Sequence, residues 1–183
     1  PFYEREKELG GYFMELGGWE RAHGYAANEH LLEKYGNRVP VRENEWDNRH
    51  FWRVSNAEHL AMTEDCGIVN LSHFAMFDVE GPDHVELMEW VCAAKVGGDA
   101  NIGKGIYTHF LDDEGMVRAD LTVIRMADRC RVIDGADAGP RDYHYLRRLA
   151  QDKGWDVKVT DVTEKYVTIG IWGPNARTTL QKV

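Results

Sequence analysis

The chain has 183 residues, of which 43% are hydrophobic and 29% charged, and its formal net charge at pH 7 is −9. This length suffices for one substantial core, and the acidic balance argues against nucleic acid as a partner. The mean hydropathy is −0.52, and no apolar run approaches the roughly 20 residues of a membrane helix, so no membrane partner is expected. The three cysteines have no short spacing. We therefore expect reduced thiols in a cytoplasmic compartment, or in the mitochondrial matrix if a transit peptide was removed.

The chain divides by pattern into two segments. Residues 1–50 are rich in aromatic residues, glycines and helix breakers without a clear period, which predicts an irregular lead-in segment that packs on the domain or on a partner. Residues 51–183 are predicted to form the first part of a folded domain. The sequence starts without methionine and stops in an apparent helix, so we expect a piece of a longer polypeptide.

Helices and strands alternate in the second segment. Ser55-Asn56-Ala57-Glu58 has the pattern of a helix capping box, and Ile68–Glu80 is predicted to be one long strand. Gly81-Pro82 then introduces a helix over Asp83–Ala94. The later segments predict a strand, a helix, an antiparallel pair of strands and a final helix: Cys130–Asp134, a helix opened by Gly139-Pro140 and ended by Gly154, Trp155–Val162 with Lys165–Trp172, and a helix after Gly173-Pro174. This order favours an α+β fold with antiparallel sheets.

The stretch Gly105–Arg125 is predicted to be a β-hairpin with a carboxylate in its second strand. The turn is the polar cluster Asp112–Gly115, in which glycine makes a positive φ inexpensive. The second strand alternates, so apolar side chains from Val117 to Val123 share one face while Asp120 lies on the other. An acid in the middle of a strand requires an explanation.

Two explanations of Asp120 remain open from the pattern. A strand aspartate beside Arg118 and Thr122 is commonly a solvated surface residue. Alternatively, it faces a pocket and acts as a base or as a stabiliser of positive charge. Tyr107 on the neighbouring strand could then offer a ring face or a hydroxyl to a flat ligand.

Other signals of chemistry are weak. The eight histidines form no His-x-x-x-His pair with an acid on one helix face, so no metal site is predicted. The loop GGDANIGKG lacks the pattern of a phosphate-binding loop, which favours a simple connection.

Three spaced segments carry a resemblance: IVNLSHFAMFDVEGPD, GIYTHFLDDEGMVRADLTVIR and TEKYVTIGIWGPNAR. In this order they resemble the strand–Gly-Pro–helix signature, the tyrosine–hairpin–aspartate segment and the following strand of the aminomethyltransferase family, typified by the T-protein of the glycine cleavage system. The upstream segments GWERAHGYA and EWDNRHFWRVSNAEH are most similar to the folate-binding C-terminal region of dimethylglycine and sarcosine dehydrogenases. The resemblance covers nearly the whole chain and matches the N-terminal half of that domain.

The resemblance implies a T-protein-like folate-binding fold with a tetrahydrofolate site. Asp120 matches the family's catalytic aspartate near the folate nitrogens, and Tyr107 matches the folate-contacting tyrosine. Thr108 and Thr122 are expected to be further cofactor-binding residues. The implied activity belongs to an oxidative N-demethylating enzyme that captures the one-carbon unit of a small N-methyl amine as 5,10-methylene-tetrahydrofolate. The implied partners are a flavin domain or subunit that holds FAD, and the remaining half of the folate domain.

Two departures from the family pattern accompany this resemblance. Asn70 stands where related sequences often have aspartate, and the region that holds the pterin is expected beyond Val183. No flavin-binding G-x-G-x-x-G is present, so any oxidation is expected on another chain or domain. A stand-alone folate-dependent aminomethyltransferase or demethylase, and a non-catalytic folate-binding scaffold, remain as alternatives.

Overall fold

A computed structural model describes residues 2–40 and 52–183. These residues form two compact units, one up to Asn70 together with Ile169–Val183, and the other from Leu71 to Thr168. The predicted division between residues 50 and 51 lies outside the described residues and stays a prediction. No helix in the described ranges is long and apolar enough to cross a membrane.

The first unit begins with regular structure. Helix α1 (Phe2–Glu8) precedes strands β1 (Gly11–Leu16) and β2 (Trp19–Tyr25), which pair antiparallel around Gly17-Gly18. Both turn glycines have positive φ, 64° and 82°, as a two-residue hairpin turn requires. The prediction of an irregular segment is therefore wrong for residues 2–25. The strands were missed because they are largely exposed and lack the alternation that one buried face imposes.

Two helices form the small core of this unit. Helix α2 (Leu31–Tyr35) packs on helix α3 (Trp52–Glu64), and the buried side chains between them include Tyr35 and Ala57. Ser55 lies inside α3 and its hydroxyl donates to the His23 carbonyl oxygen at 2.7 Å. The predicted capping box is therefore wrong, since the helix already begins at residue 52.

A second two-stranded sheet completes the first unit. Strand β3 (Gly67–Asn70) pairs antiparallel with strand β9 (Ile169–Trp172), and helix α6 (Ala176–Leu180) follows Gly173-Pro174 as predicted. The predicted pairing of Lys165–Trp172 with Trp155–Val162 is wrong, because β9 bonds β3 instead.

The second unit contains the larger sheet. Its elements in chain order are β4 (Ala75–Glu80), α4 (His84–Val91), β5 (Gly105–Leu111), β6 (Val117–Arg125), β7 (Arg129–Asp134), α5 (Gly139–Lys153) and β8 (Lys158–Asp161). The strands are all antiparallel, in the order β5-β6-β7-β4-β8. This arrangement confirms the α+β prediction.

The predicted long strand Ile68–Glu80 is divided in two. A turn closed by the Phe74 N–H and the Leu71 carbonyl oxygen, 3.0 Å apart, separates β3 from β4. The two halves then enter different sheets and different compact units. A continuous apolar run cannot reveal such a change of partner, because each half satisfies the strand pattern alone.

One face of the large sheet is covered by α4 and α5. The buried core includes Phe77, Phe110 and Val132 from the strands, with Leu87 and Leu146 from the helices. Helix α5 ends at Gly154 in a left-handed conformation, with φ 70°, as the sequence predicted. The opposite face of the sheet carries the residues that the hairpin pattern singled out.

The three cysteines are free thiols in the described chain. Burial raises the pKa of Cys92 to about 12 and that of Cys130 to about 11. Both groups are therefore protonated near neutral pH and poor nucleophiles.

Candidate functional site

The hairpin of β5 and β6 forms as predicted and brings Tyr107 and Asp120 together. Its turn is held by Asp112, whose carboxylate accepts the N–H groups of Glu114 and Met116 at 3.0 and 2.9 Å. Within β6, Ala119 and Leu121 point into the core while Asp120 is exposed. The alternation read from the sequence is therefore confirmed at these positions.

The Tyr107 hydroxyl donates a hydrogen bond of 2.7 Å to Oδ2 of Asp120. The tyrosine is 62% exposed, so its ring and hydroxyl remain accessible. The hydrogen bond to the carboxylate raises the pKa of the Tyr107 phenol, with smaller contributions from desolvation and from the carboxylate charge. The pair lies on an open sheet surface, not in a closed apolar pocket formed by the described residues.

The two threonines predicted at the site lie on opposite faces of the sheet. Thr122 is the cross-strand partner of Tyr107 and shares its outward face. Thr108 is 2% exposed on the core face, where its hydroxyl accepts the Ala94 N–H at 3.0 Å. The structure thus brings Thr122 to Tyr107 and Asp120 and places Thr108 away from them.

A histidine missing from the predicted site completes the cluster. His109 lies directly opposite Asp120 in the strand register, and its ring meets the Tyr107 ring at a centroid distance of 5.4 Å and an interplanar angle of 72°. Its spacing of two residues from Tyr107 could have revealed it, because strand residues i and i+2 share a face.

An ion pair between β4 and β7 lies on the same outward face of the sheet. Arg131 binds Asp78 with two hydrogen bonds, Nε to Oδ1 at 2.7 Å and Nη2 to Oδ2 at 2.9 Å. The Tyr166 ring stacks on the guanidinium at 4.0 Å, and the hydrogen bonds to Asp78 raise the pKa of Arg131. This arginine is already paired, so the accessible chemistry of the face lies at the Tyr107 end.

The described residues contain no group of three or more histidine, cysteine, aspartate or glutamate side chains that could hold a metal ion. What the cluster offers is an exposed aromatic face, a carboxylate that accepts hydrogen bonds and an imidazole. These groups suit a planar ligand with N–H donors.

Comparison with known proteins gives relatives of two kinds. The chain is 34% identical to 4-methylaminobutanoate oxidase (formaldehyde-forming) of Paenarthrobacter nicotinovorans over all of its length, which is 21% of that protein. It is 26% identical to the mitochondrial dimethylglycine dehydrogenase of Rattus norvegicus, with 91% of this chain and 18% of that protein covered. An aminomethyltransferase of Bordetella avium is 27% identical, with 97% and 41% covered.

The fold has a counterpart among solved structures. The glycine cleavage system aminomethyltransferase T from Bartonella henselae superposes with a TM-score of 0.73 at 23% identity, covering all of this chain and 42% of that one. The chain thus spans between about a fifth and two fifths of the proteins named here. The family description "GCVT N-terminal domain" matches residues 2–183. On this match, the chain belongs to the GCVT N-terminal domain family.

Proposed function

We propose that this chain is the tetrahydrofolate-binding part of an oxidative N-demethylating enzyme, in which the one-carbon unit of an N-methyl amine is captured as 5,10-methylene-tetrahydrofolate. The observation that carries the proposal is the 2.7 Å hydrogen bond between Tyr107 and Asp120 on an exposed sheet face. The class of reaction is supported by the two relatives named 4-methylaminobutanoate oxidase (formaldehyde-forming) and dimethylglycine dehydrogenase, since both names give an oxidation of an N-methyl amine.

The residues present fit tetrahydrofolate. The folate supplies two nucleophilic nitrogens that take up the one-carbon unit. Tyr107 presents an exposed ring against which a flat heterocycle can stack, and Thr122 beside it offers a hydroxyl. The carboxylate of Asp120 can accept a hydrogen bond from a ligand N–H group.

Asp120 has the chemistry that the transfer needs. When an amine nitrogen forms a new bond to carbon, positive charge develops on it and a proton must leave. A fixed carboxylate stabilises this charge and accepts the proton. The Tyr107 hydroxyl holds the carboxylate in one orientation, since it binds Oδ2. Oxidation of the amine is assigned to a flavin domain or subunit that holds FAD.

The test uses the complete parent polypeptide. Tetrahydrofolate binding is measured by calorimetry, and methylene-tetrahydrofolate formation by product analysis, for the wild type and Asp120→Asn. We expect the variant to keep its fold and to lose about 10²- to 10³-fold in turnover, the usual effect of removing one charge-stabilising group. Asp152→Asn, an exposed aspartate on α5, is the matched control and should match the wild type.

Two results would decide against the proposal. Absence of tetrahydrofolate binding by the wild type removes the folate function altogether. Unchanged turnover in Asp120→Asn would reduce the chain to a folate-binding scaffold.

A second candidate is a stand-alone aminomethyltransferase or demethylase without a flavin partner. The similarity to aminomethyltransferases over 97% of this chain favours it. Flavin content of the purified native complex separates the two candidates. Bound flavin with N-methyl amine oxidation supports the first, whereas one-carbon transfer by a flavin-free protein supports the second.

A further inference from the structure

His109 is the third titratable side chain at the end of the sheet where Tyr107 and Asp120 lie. Directly opposed residues of antiparallel strands have Cβ atoms about 4.5–5.5 Å apart, so a hydrogen bond or one water can join their side chains. The register places His109 and Asp120 in this relation, on the same outward face. No direct hydrogen bond joins the two side chains among the described residues, so one bridging water can connect them.

The ring nitrogens of His109 make no hydrogen bond that stabilises the fold in the described part of the chain. Within residues 2–40 and 52–183, its ring nitrogens have no hydrogen-bond partner; its backbone carbonyl accepts the Ala93 N–H at 2.9 Å. The contrast is His84, where Nδ1 lies 2.6 Å from the Gly81 carbonyl oxygen and Nε2 lies 3.2 Å from Nη1 of Arg125. Structural use occupies both nitrogens of His84 and leaves those of His109 available to a ligand or water.

The groups around His109 leave Asp120 as its natural partner. On β6 the neighbour on this face is Asp120. Arg118 lies at the register shift of the hairpin, and its guanidinium stacks on the Tyr145 ring of α5 at 4.2 Å. On β5 the neighbour is Tyr107, whose hydroxyl donates a hydrogen bond to Asp120. Beside the outer edge of β5 runs the segment Ala93–Lys95, which contributes one charged side chain, that of Lys95.

We propose that His109 is a positioning residue that takes from Asp120, through one bridging water, the proton that a ligand N–H group loses during one-carbon transfer. The inference rests on the proposed folate-dependent function. The step moves one proton and no electrons. The N–H bond of the reacting amine breaks and the Asp120 carboxylate becomes a carboxylic acid. The acid then passes the proton to the neutral imidazole, which releases it to water, and both side chains return to their starting state.

The chemistry of histidine explains why this position matters. Among side chains, histidine is the one whose unperturbed charge change falls between pH 5 and 8. A solitary carboxylate that has taken up a proton must return it to solvent before it can act again. An adjacent imidazole nitrogen offers that proton a basic acceptor, which the side-chain amide of a glutamine of similar size does not.

The experiment compares the affinity for tetrahydrofolate with the pH dependence of turnover. Calorimetry gives the affinity of the full-length protein, and product analysis gives the rate of one-carbon transfer between pH 6 and 8. We expect His109→Gln to bind tetrahydrofolate within about tenfold of the wild-type affinity, because binding alone breaks no N–H bond. The wild-type rate of one-carbon transfer should change with pH in this range. His109→Gln should lose this pH dependence and show a turnover about 10²-fold lower.

A matched control is available on α5. His144 is exposed and its ring also contacts a tyrosine ring, that of Tyr143, at 5.2 Å. Because it lies on a helix that covers the other face of the sheet, His144→Gln should reproduce the wild-type turnover and its pH profile. His109→Asn serves as the second variant if His109→Gln fails to fold by circular dichroism.

The outcomes separate the two proposals. Wild-type turnover and pH profile in His109→Gln or His109→Asn would overturn the role of His109 and leave the folate function standing. Absence of folate binding by the wild type would overturn the proposed function itself.

Discussion

Tyr107 and Thr108 are consecutive residues of β5, and their side chains lie on opposite faces of the sheet. Neighbouring strand residues alternate in this way, so one ligand on one surface cannot contact both side chains. Tyr107 is 62% exposed beside Asp120, whereas Thr108 is buried against Ala94. The strand alternation by itself places Thr108 on the face opposite Tyr107, and it places His109 on the same face as Tyr107.

A pair of buried carboxyl groups lies on the covered face of the sheet. Asp142 is fully buried and its oxygens accept Nε and Nη2 of Arg141 at 2.9 and 2.8 Å. Asp134 is 3% exposed and its Oδ1 accepts the Gly135 N–H at 2.7 Å. Burial, and then the nearby Asp142 carboxyl, raise the pKa of Asp134 to about 7.

This raised pKa makes the stability of the fold depend on pH. The folded state keeps a proton on Asp134 that the unfolded chain releases near pH 4, so the free energy of unfolding falls as pH rises from about 4 through 7. Asp134→Asn keeps an oxygen for the Gly135 N–H without the charge. We expect the variant to be more stable at pH 8, on the order of a few kcal/mol, with a flatter pH profile in chemical denaturation.

Asp152→Asn, on the exposed side of α5, controls for the general effect of removing a negative charge. It should leave the slope of stability against pH unchanged. A wild-type slope retained in Asp134→Asn would show that Asp134 is not the source of the pH dependence.

Among the elements of the fold, two strand–Gly-Pro–helix segments have the same backbone conformation at glycine. Gly81 and Gly173 both have φ of 118°, and a Cβ at either would lie 2.3 Å from a carbonyl oxygen, that of Asp156 or Asp65. In each segment the N–H of the residue after proline donates to the carbonyl oxygen that the Cβ would approach. The Asp83 N–H donates to Asp156 at 3.5 Å, and the Asn175 N–H donates to Asp65 at 3.0 Å. The segments DVEGPDHVEL and GIWGPNARTTL, which share a Gly-Pro pair between a strand and a helix, therefore repeat one backbone geometry.

We expect Gly81→Ala to destabilise the large-sheet unit more than positive φ alone would. The new Cβ would collide with the Asp156 backbone, which no rotamer change relieves. Gly98→Ala is the control, because Gly98 also has positive φ, 90°, but open space within 4 Å of its Cβ position. Denaturant unfolding should show an excess cost of about 1–3 kcal/mol for Gly81→Ala. Equal costs for the two variants would mean that the strand–helix junction yields to the added methyl group.

At the scale of the whole molecule, the two compact units differ in how their backbone is protected. In Leu71–Thr168 the strands of the large sheet have partners on both sides at β6, β7 and β4, and two helices cover one face. The other unit contains two-stranded sheets, which are marginal by themselves in water. Its described core is small, around Tyr35, Val39 and Ala57.

Native-state hydrogen exchange should reflect this difference. We expect the amides of β7, at the centre of the large sheet, to exchange slowest and those of the β1–β2 hairpin to exchange fastest. Mass spectrometry of peptides from the two units, recorded on the full-length protein, provides the comparison. Similar protection in the two units would indicate that the hairpin unfolds only with the whole chain.

Local sequence pattern predicted the β5–β6 hairpin with its polar turn, and the helices α4 and α5. It also placed Asp120 on the strand face opposite the apolar residues, but left open whether that face is solvated or lines a pocket. These features follow from alternation, helical spacing and the positions of glycine and proline, all of which act over a few residues. The pairing of the other strands became known only from the three-dimensional structure. It split Ile68–Glu80 between two sheets and joined Gly67–Asn70 to Ile169–Trp172, about a hundred residues apart. Strand partners depend on long-range packing and loop closure, and the residues of a single strand do not encode them.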